Sequence, residues 1–148
     1  QTRPLGRTGL NVSVMSVGGA AIGQQYGPVS VAEAADTLHA ALDAGVNLID
    51  TSAYYGKGRS EEILGEVLAG HRDRVILCTK AGRLDRDVFD FTPAGMRHSL
   101  EGSLRRLRTG HVDVLLAHDI EFATDYDAVF SDTVATLHAL KREGKCRF

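Results

Sequence analysis

The chain has 148 residues, enough for one ordinary domain with a sizeable core. Its hydrophobic (43%) and charged (24%) shares are those of an average globular chain, and with a net charge of −2 and no basic run nothing argues for a nucleic-acid partner. No apolar run approaches the ~20 residues that cross a bilayer, and no charged-then-apolar leader opens the chain, so neither a membrane nor secretion is expected.

A hairpin is predicted first: Arg3–Leu5 and Leu10–Val12 bracket Gly6-Arg7-Thr8-Gly9, whose glycines suit a turn. Val14–Val17 reads as a short strand running into Gly18-Gly19-Ala20. Tyr26-Gly27-Pro28 follows, either a mobile loop over a site or an ordinary turn. The first helix opens at Ser30, with Glu33 completing a capping box. Ala34, Leu38 and Leu42, with Ala41, form its apolar face, and Gly45 ends it.

The second strand is Val46–Asp50. The second helix starts near Ser60-Glu61-Glu62, an acidic first turn that suits the helix dipole, and carries Ile63, Leu64, Val67 and Leu68. Val75–Thr79 is the third strand. Thr92 caps the third helix, Pro93 takes its first position, and Met96, Leu100, Leu104 and Leu107 form its buried face. The fourth strand is Val112–Ala117, and the fourth helix covers about Ser131–Arg142 with Val134, Leu137, His138 and Leu140. Lys145-Cys146-Arg147-Phe148 reads as the start of a fifth strand.

Alternating β and α elements with apolar strands imply an α/β fold with a parallel sheet. Polar residues close three successive strands, which favours a (β/α)8 TIM barrel, where every βα loop meets one mouth, over a doubly wound sheet. Such a barrel takes ~250 residues. Residues 1–148 are therefore expected to be the N-terminal half of a single barrel, the first four βα units, with no second domain. An open half would expose sheet edges and its apolar interior, so self-association is expected of a truly truncated chain. Cys78 and Cys146 are expected to be buried thiols in a reducing, cytoplasmic compartment. His39, His71, His98, His111 and His138 lack metal-ligand spacing, and no metal is expected.

The strand ends carry Asp50, Tyr55, Lys80 and His118. Hydride transfer to a carbonyl needs a proton donor near the oxygen. A tyrosine hydroxyl, ionising at ~10 in water, serves only beside a group that eases its ionisation. Lys80 is the candidate ammonium, Asp50 its counter-charge, and His118 the group that orients and polarises the substrate oxygen. Each residue also has a plain reading: Tyr55 as a rim aromatic, Lys80 as a solvated charge, Asp50 as a turn cap, His118 as a structural histidine. The set together points to proton-transfer chemistry. Gly18-Gly19-Ala20 is either a structural turn or a cofactor contact, and it is not the G-x-G-x-x-G of a Rossmann fold.

These residues resemble the aldo-keto reductase family. Arg3 to Ser13 looks like its bottom hairpin, Asp50-Thr51-Ser52 through Tyr55-Gly56 like its signature, and Lys80 and His118 complete the expected tetrad. A narrower resemblance, to the L-galactose dehydrogenase branch, rests on Ser52 to Gly56, Thr79-Lys80-Ala81-Gly82-Arg83, Phe89-Asp90-Phe91 and His118-Asp119-Ile120-Glu121-Phe122. The resemblance implies an oxidoreductase using NAD, with NADP as the alternative, that oxidises the C1 hydroxyl of an aldose such as L-galactose to the lactone. Similar branches act on L-fucose, other aldoses or pyridoxal. The implied cofactor contacts are Gly18, Gly19, Ala20 and Asp50, and the implied substrate contacts are Tyr54, His118 and Asp119. Two other classes stay open: a non-catalytic nucleotide-binding or regulatory protein on the same scaffold, and an inactive self-associating half-barrel.

Overall fold

A computed structural model describes residues 1–148. The chain opens with a hairpin, β1 (Thr2–Pro4) and β2 (Asn11–Ser13), followed by β3 (Ser16–Gly18), α1 (Val31–Asp43), β4 (Leu48–Asp50) and α2 (Arg59–Val67). Then come β5 (Ile76–Ala81), a small hairpin of β6 (Arg83–Asp85) and β7 (Val88–Phe89), α3 (Pro93–Arg106) and β8 (Val114–Ala117). One helical turn, α4 (Tyr126–Ala128), leads through a π-helical turn at Val129–Thr133 into α5 (Val134–Arg142).

Strands β3, β4, β5 and β8 form one parallel sheet in that order. Gly18, Asp50, Cys78 and Val114 lie in one register row, and β5 runs three residues beyond it. This stagger is the tilt a barrel requires, and it lifts Lys80 one pleat above the row that holds Asp50. Ile49, Leu77 and Leu115 point to the helices, where they meet Leu38, Leu64, Met96 and Leu100 in one core cluster. Burial of each such side chain contributes about 1.5–3 kcal/mol. The other sheet face carries Asp50, Cys78 and Lys80 and leaves Leu116 44% exposed.

The helix signals of α1 and α3 act locally and are realised as expected. Ser30 and Glu33 form the capping box, and Thr92 accepts from Gly95 N–H ahead of Pro93 at the first turn. Gly45 (φ 82°) closes α1 through Gly45 N–H to Leu42 O and Val46 N–H to Ala41 O. That closure corrects the predicted second strand: Val46 is spent on the helix end, so β4 begins only at Leu48. The first strand likewise shifts, from Val14–Val17 to Ser16–Gly18, because pairing with β4 sets its span. Val14 and Met15 are left at a bend, 50% and 71% exposed. The fourth strand's ladder starts at Val114, whereas Val112 bridges Cys146 in the last segment.

Helix α2 starts from Gly58 in the left-handed region with no side-chain cap. Its buried acid Glu61 instead accepts from Thr79 Oγ1 (2.6 Å) and Arg106 Nε (2.8 Å), which ties α2 to β5 and α3. The predicted fourth helix is corrected most. It begins at Tyr126, capped by Asp125, and the π turn adds a residue that rotates the following face. Val129, Thr133, Thr136 and Leu140 are buried, while Val134 and His138 are exposed.

Candidate active site

Asp50, at the C-terminal end of β4, and Lys80, near that of β5, meet across the parallel register at the same rim. The Lys80 ammonium donates to Asp50 Oδ2 (2.7 Å), Thr51 O (2.9 Å) and Tyr55 Oη (3.1 Å). All three of its hydrogens are thus committed. Burial acts to lower the Lys80 pKa, but the hydrogen bonds to Asp50 and Tyr55 outweigh it, so the group is held charged above its usual value. One pleat below, burial and the adjoining Asp50 push the Cys78 thiol up to about 12, which keeps it protonated at neutral pH.

Tyr55 reaches this ammonium from the βα loop, where two glycines place its backbone. A Cβ on Gly23 would stand 2.7 Å from the Tyr55 carbonyl carbon, and one on Gly56 (φ 63°) would stand 2.3 Å from Gly23 O. The loop after β3 therefore passes directly against Tyr55. Gly23→Ala should push Tyr55 away from Lys80 and, with Tyr55 as the acid/base proposed below, lower turnover by about tenfold to a hundredfold, since small displacements of a reacting group cost that much. Steady-state rates on a variant with unchanged circular dichroism check it.

His118 closes β8 and is buried. Its ring stands 5.9 Å from that of Tyr55 and at 89° to it. Ser52 Oγ accepts from Tyr54 N–H (3.1 Å) and contacts His118 Nδ1 (2.9 Å). The hydroxyl hydrogen has no other acceptor, so it is assigned to Nδ1, which leaves the ring hydrogen on Nε2. Burial is the largest influence on His118 and lowers its pKa. Lys80 and Arg83 act the same way, against Asp119 and Asp50, so the imidazole is neutral at pH 7.

Tyr54, half-buried, sits edge-on to His118 (6.0 Å) and beneath the Arg83 guanidinium, 3.8 Å from the ring centre. Arg83 also pairs with Asp119. The Gly18-Gly19-Ala20 segment divides in function. Gly19 donates its N–H to Asp50 O and its carbonyl accepts from Ser60 Oγ, and a Cβ there would meet that Oγ at 2.6 Å. Its close approach is to the protein itself. Gly18 is open, with nothing within 4 Å of a built Cβ, and Ala20 accepts the Gln25 N–H. Tyr26 is 81% exposed.

Four groups that matter here lay outside the sequence-derived set: Ser52, Arg83, Gly23 and Gly56. Ser52, Gly56 and Arg83 sit inside the family-like motifs, but the contacts of Ser52 and Arg83 span 66 and 36 residues, which no local pattern carries.

Residues 14–148 match the model of the aldo/keto reductase family. The chain is 42% identical to L-galactose dehydrogenase of Arabidopsis thaliana, covering 100% of this chain and 47% of that protein. It is 35% identical to D-arabinose 1-dehydrogenase of Saccharomyces cerevisiae, covering 90% and 41%. A solved aldo-keto reductase from Klebsiella pneumoniae in complex with NADPH superposes with a TM-score of 0.76 at 30% identity, covering 94% and 45%. The chain spans about half the length of the curated relatives it matches. With the half-barrel arc, the lysine-centred tetrad and this match along nearly its whole length, the chain belongs to the aldo-keto reductase family.

Proposed function

We propose that the protein is a nicotinamide-dependent oxidoreductase that oxidises the C1 hydroxyl of an aldose such as L-galactose to the lactone. One observation carries the reading: a fully committed Lys80 ammonium joins the Asp50 carboxylate to the Tyr55 hydroxyl, with a neutral His118 facing them. A bound nicotinamide ring would accept the hydride from sugar C1. Of this chain's residues, open Gly18 and the partly exposed Asp50 carboxylate fit a ring at that rim, whereas Gly19 is closed off by Thr51 and Ser60.

Tyr55, its oxygen 3.1 Å from the Lys80 ammonium, is the base that takes the C1 hydroxyl proton while the C1–H bond breaks and C1=O forms. His118 donates from Nε2 to the reacting oxygen and holds it in place. Asp50 keeps Lys80 in position and balances its charge, and Tyr54 and Asp119 complete the substrate side. The choice of L-galactose draws on the likeness to the Arabidopsis enzyme, and that of NAD over NADP on the resemblance of the sequence motifs alone.

The test is to incubate the intact natural protein with L-galactose and NAD⁺, then repeat with NADP⁺. Reduced nicotinamide should appear together with lactone. Failure with every aldose and both nucleotides would overturn the proposal and return the chain to the non-catalytic class.

A further inference from the structure

Asp119 occupies a position its local role does not explain. It is a non-glycine residue in the left-handed region (φ 55°), a conformation that costs on the order of 1 kcal/mol. It starts the short turn Ile120–Phe122, yet its side chain makes no capping hydrogen bond. The backbone twist instead turns the carboxylate back toward the site, with Oδ2 3.6 Å from His118 Nε2. Oδ2 is held by Arg83, and Oδ1 accepts from no protein donor.

Arg83 is itself locked. Its guanidinium lies on the Tyr54 ring and near that of Phe89 (5.5 Å), and it donates to Arg86 O (3.0 Å) and Asp85 O (3.4 Å) of the β6–β7 turn. Stacking and forked hydrogen bonding together immobilise an arginine in a way a lysine cannot match. The result is a carboxylate with one oxygen fixed and one free, beside the ring nitrogen assigned to the substrate oxygen. Oδ2 is the oxygen 3.6 Å from Nε2, so the free Oδ1 of the same carboxylate borders the space an oxygen bonded to Nε2 would fill.

We infer that Asp119, positioned by Arg83, accepts a hydrogen bond from the hydroxyl on the carbon next to the reacting one, so that the site selects vicinal diols over substrates with a lone hydroxyl. The inference rests on the aldose reading above and names the feature of the sugar that this wall recognises. Arg83 is a positioning residue. It also neutralises a carboxylate that would otherwise stand bare beside the reacting oxygen.

The experiment compares L-galactose with 2-deoxy-L-galactose in the intact protein and in Asp119→Gly, Asp119→Asn and Arg83→Met. Gly and Asn both tolerate the left-handed backbone, so these variants keep the turn. The unaltered protein should prefer the parent sugar by tenfold to a hundredfold in kcat/KM, the effect of a hydrogen bond to a charged group. Asp119→Gly should erase that preference, Asp119→Asn should restore part of it, and Arg83→Met should raise KM for the parent sugar more than for the deoxy sugar. Equal loss on both sugars in Asp119→Gly would overturn the inference and leave the aldose reading standing.

Binding of the two sugars to Tyr55→Phe with NAD⁺ present is measured alongside, so that the comparison survives a dead chemical step. Binding of neither sugar would overturn both readings. A further readout separates positioning from mere structure. His118 faces Asp119, Lys80, Arg83 and Asp50, with Ser52, Tyr54 and Tyr55 around it. Its NMR titration should move up in Arg83→Met, which removes a cation, and down in Asp119→Asn, which removes an anion. Shifts in the same direction would sink the arrangement.

Discussion

Tyr55→Phe is expected to lower turnover by about 10²–10⁴, the range contributed by a positioned acid or base, while leaving the fold unchanged. The hydroxyl's one protein partner is Lys80 Nζ, at 3.1 Å, and the ammonium keeps Asp50 and Thr51 O when it is removed. The phenyl ring itself retains its contact with the ammonium, which lies 4.7 Å from the ring centre. The substitution is therefore conservative for packing and severe for chemistry. Steady-state kinetics with a thermal melt on the same preparation decide it. Activity within a few fold of normal, at unchanged melting temperature, would move the proton-transfer role off Tyr55.

Glu61→Ala is expected to destabilise the protein by about 3–5 kcal/mol, because it leaves a partly buried cation without its partner. Glu61 has no exposed surface, and its two carboxylate oxygens satisfy Thr79 Oγ1 and the Arg106 guanidinium. The neighbourhood cannot relax easily: a Cβ on Gly65 would stand 2.2 Å from Arg106 O, so α2 and α3 are already in backbone contact. Urea denaturation gives the loss directly. Pairing Glu61→Leu with Arg106→Met should recover part of it, since the double change removes both charges together. A single substitution costing under 1 kcal/mol would mean that the pair is hydrated.

Thr79 links this network to the site. It lies between Cys78 and Lys80 on β5, and its side chain points to the helices while theirs point to the mouth. The Glu61 pair thereby anchors the strand that presents Lys80. Loss of stability in Glu61→Ala should come with a smaller loss of turnover, a coupling that Tyr55→Phe does not show.

The capping box of α1, the Thr92 cap of α3, the apolar faces of both helices and the order of the strands were readable from residues within a few positions of one another. Ser30 and Glu33, or Met96, Leu100 and Leu104, interact inside one helix, so spacing alone reveals them. The tetrad was readable for a related reason. A parallel barrel sends every strand end to one rim, so polar residues at strand ends converge even before any distance is known. Strand limits were less accessible, because Val46 could serve a helix end or a sheet and only Leu48 pairing with Ile76 decides between them.

What escaped entirely was set by contacts between distant segments. The π turn at Val129–Thr133 depends on Thr133 Oγ1 reaching Phe91 O, 42 residues away, and it redirects the whole face of α5. The same holds for Ser52 against His118 and for Arg83 between Tyr54 and Asp119. The sequence by itself determined that Asp50, Tyr55, Lys80 and His118 gather at one rim and are the candidates for proton chemistry, since periodicity and strand order are local properties of the chain. Only the tertiary structure decided which of them touch, which ring nitrogen is free and which carboxylate oxygen is left for a ligand, because hydrogen-bond satisfaction is settled between segments that meet only once the chain is folded.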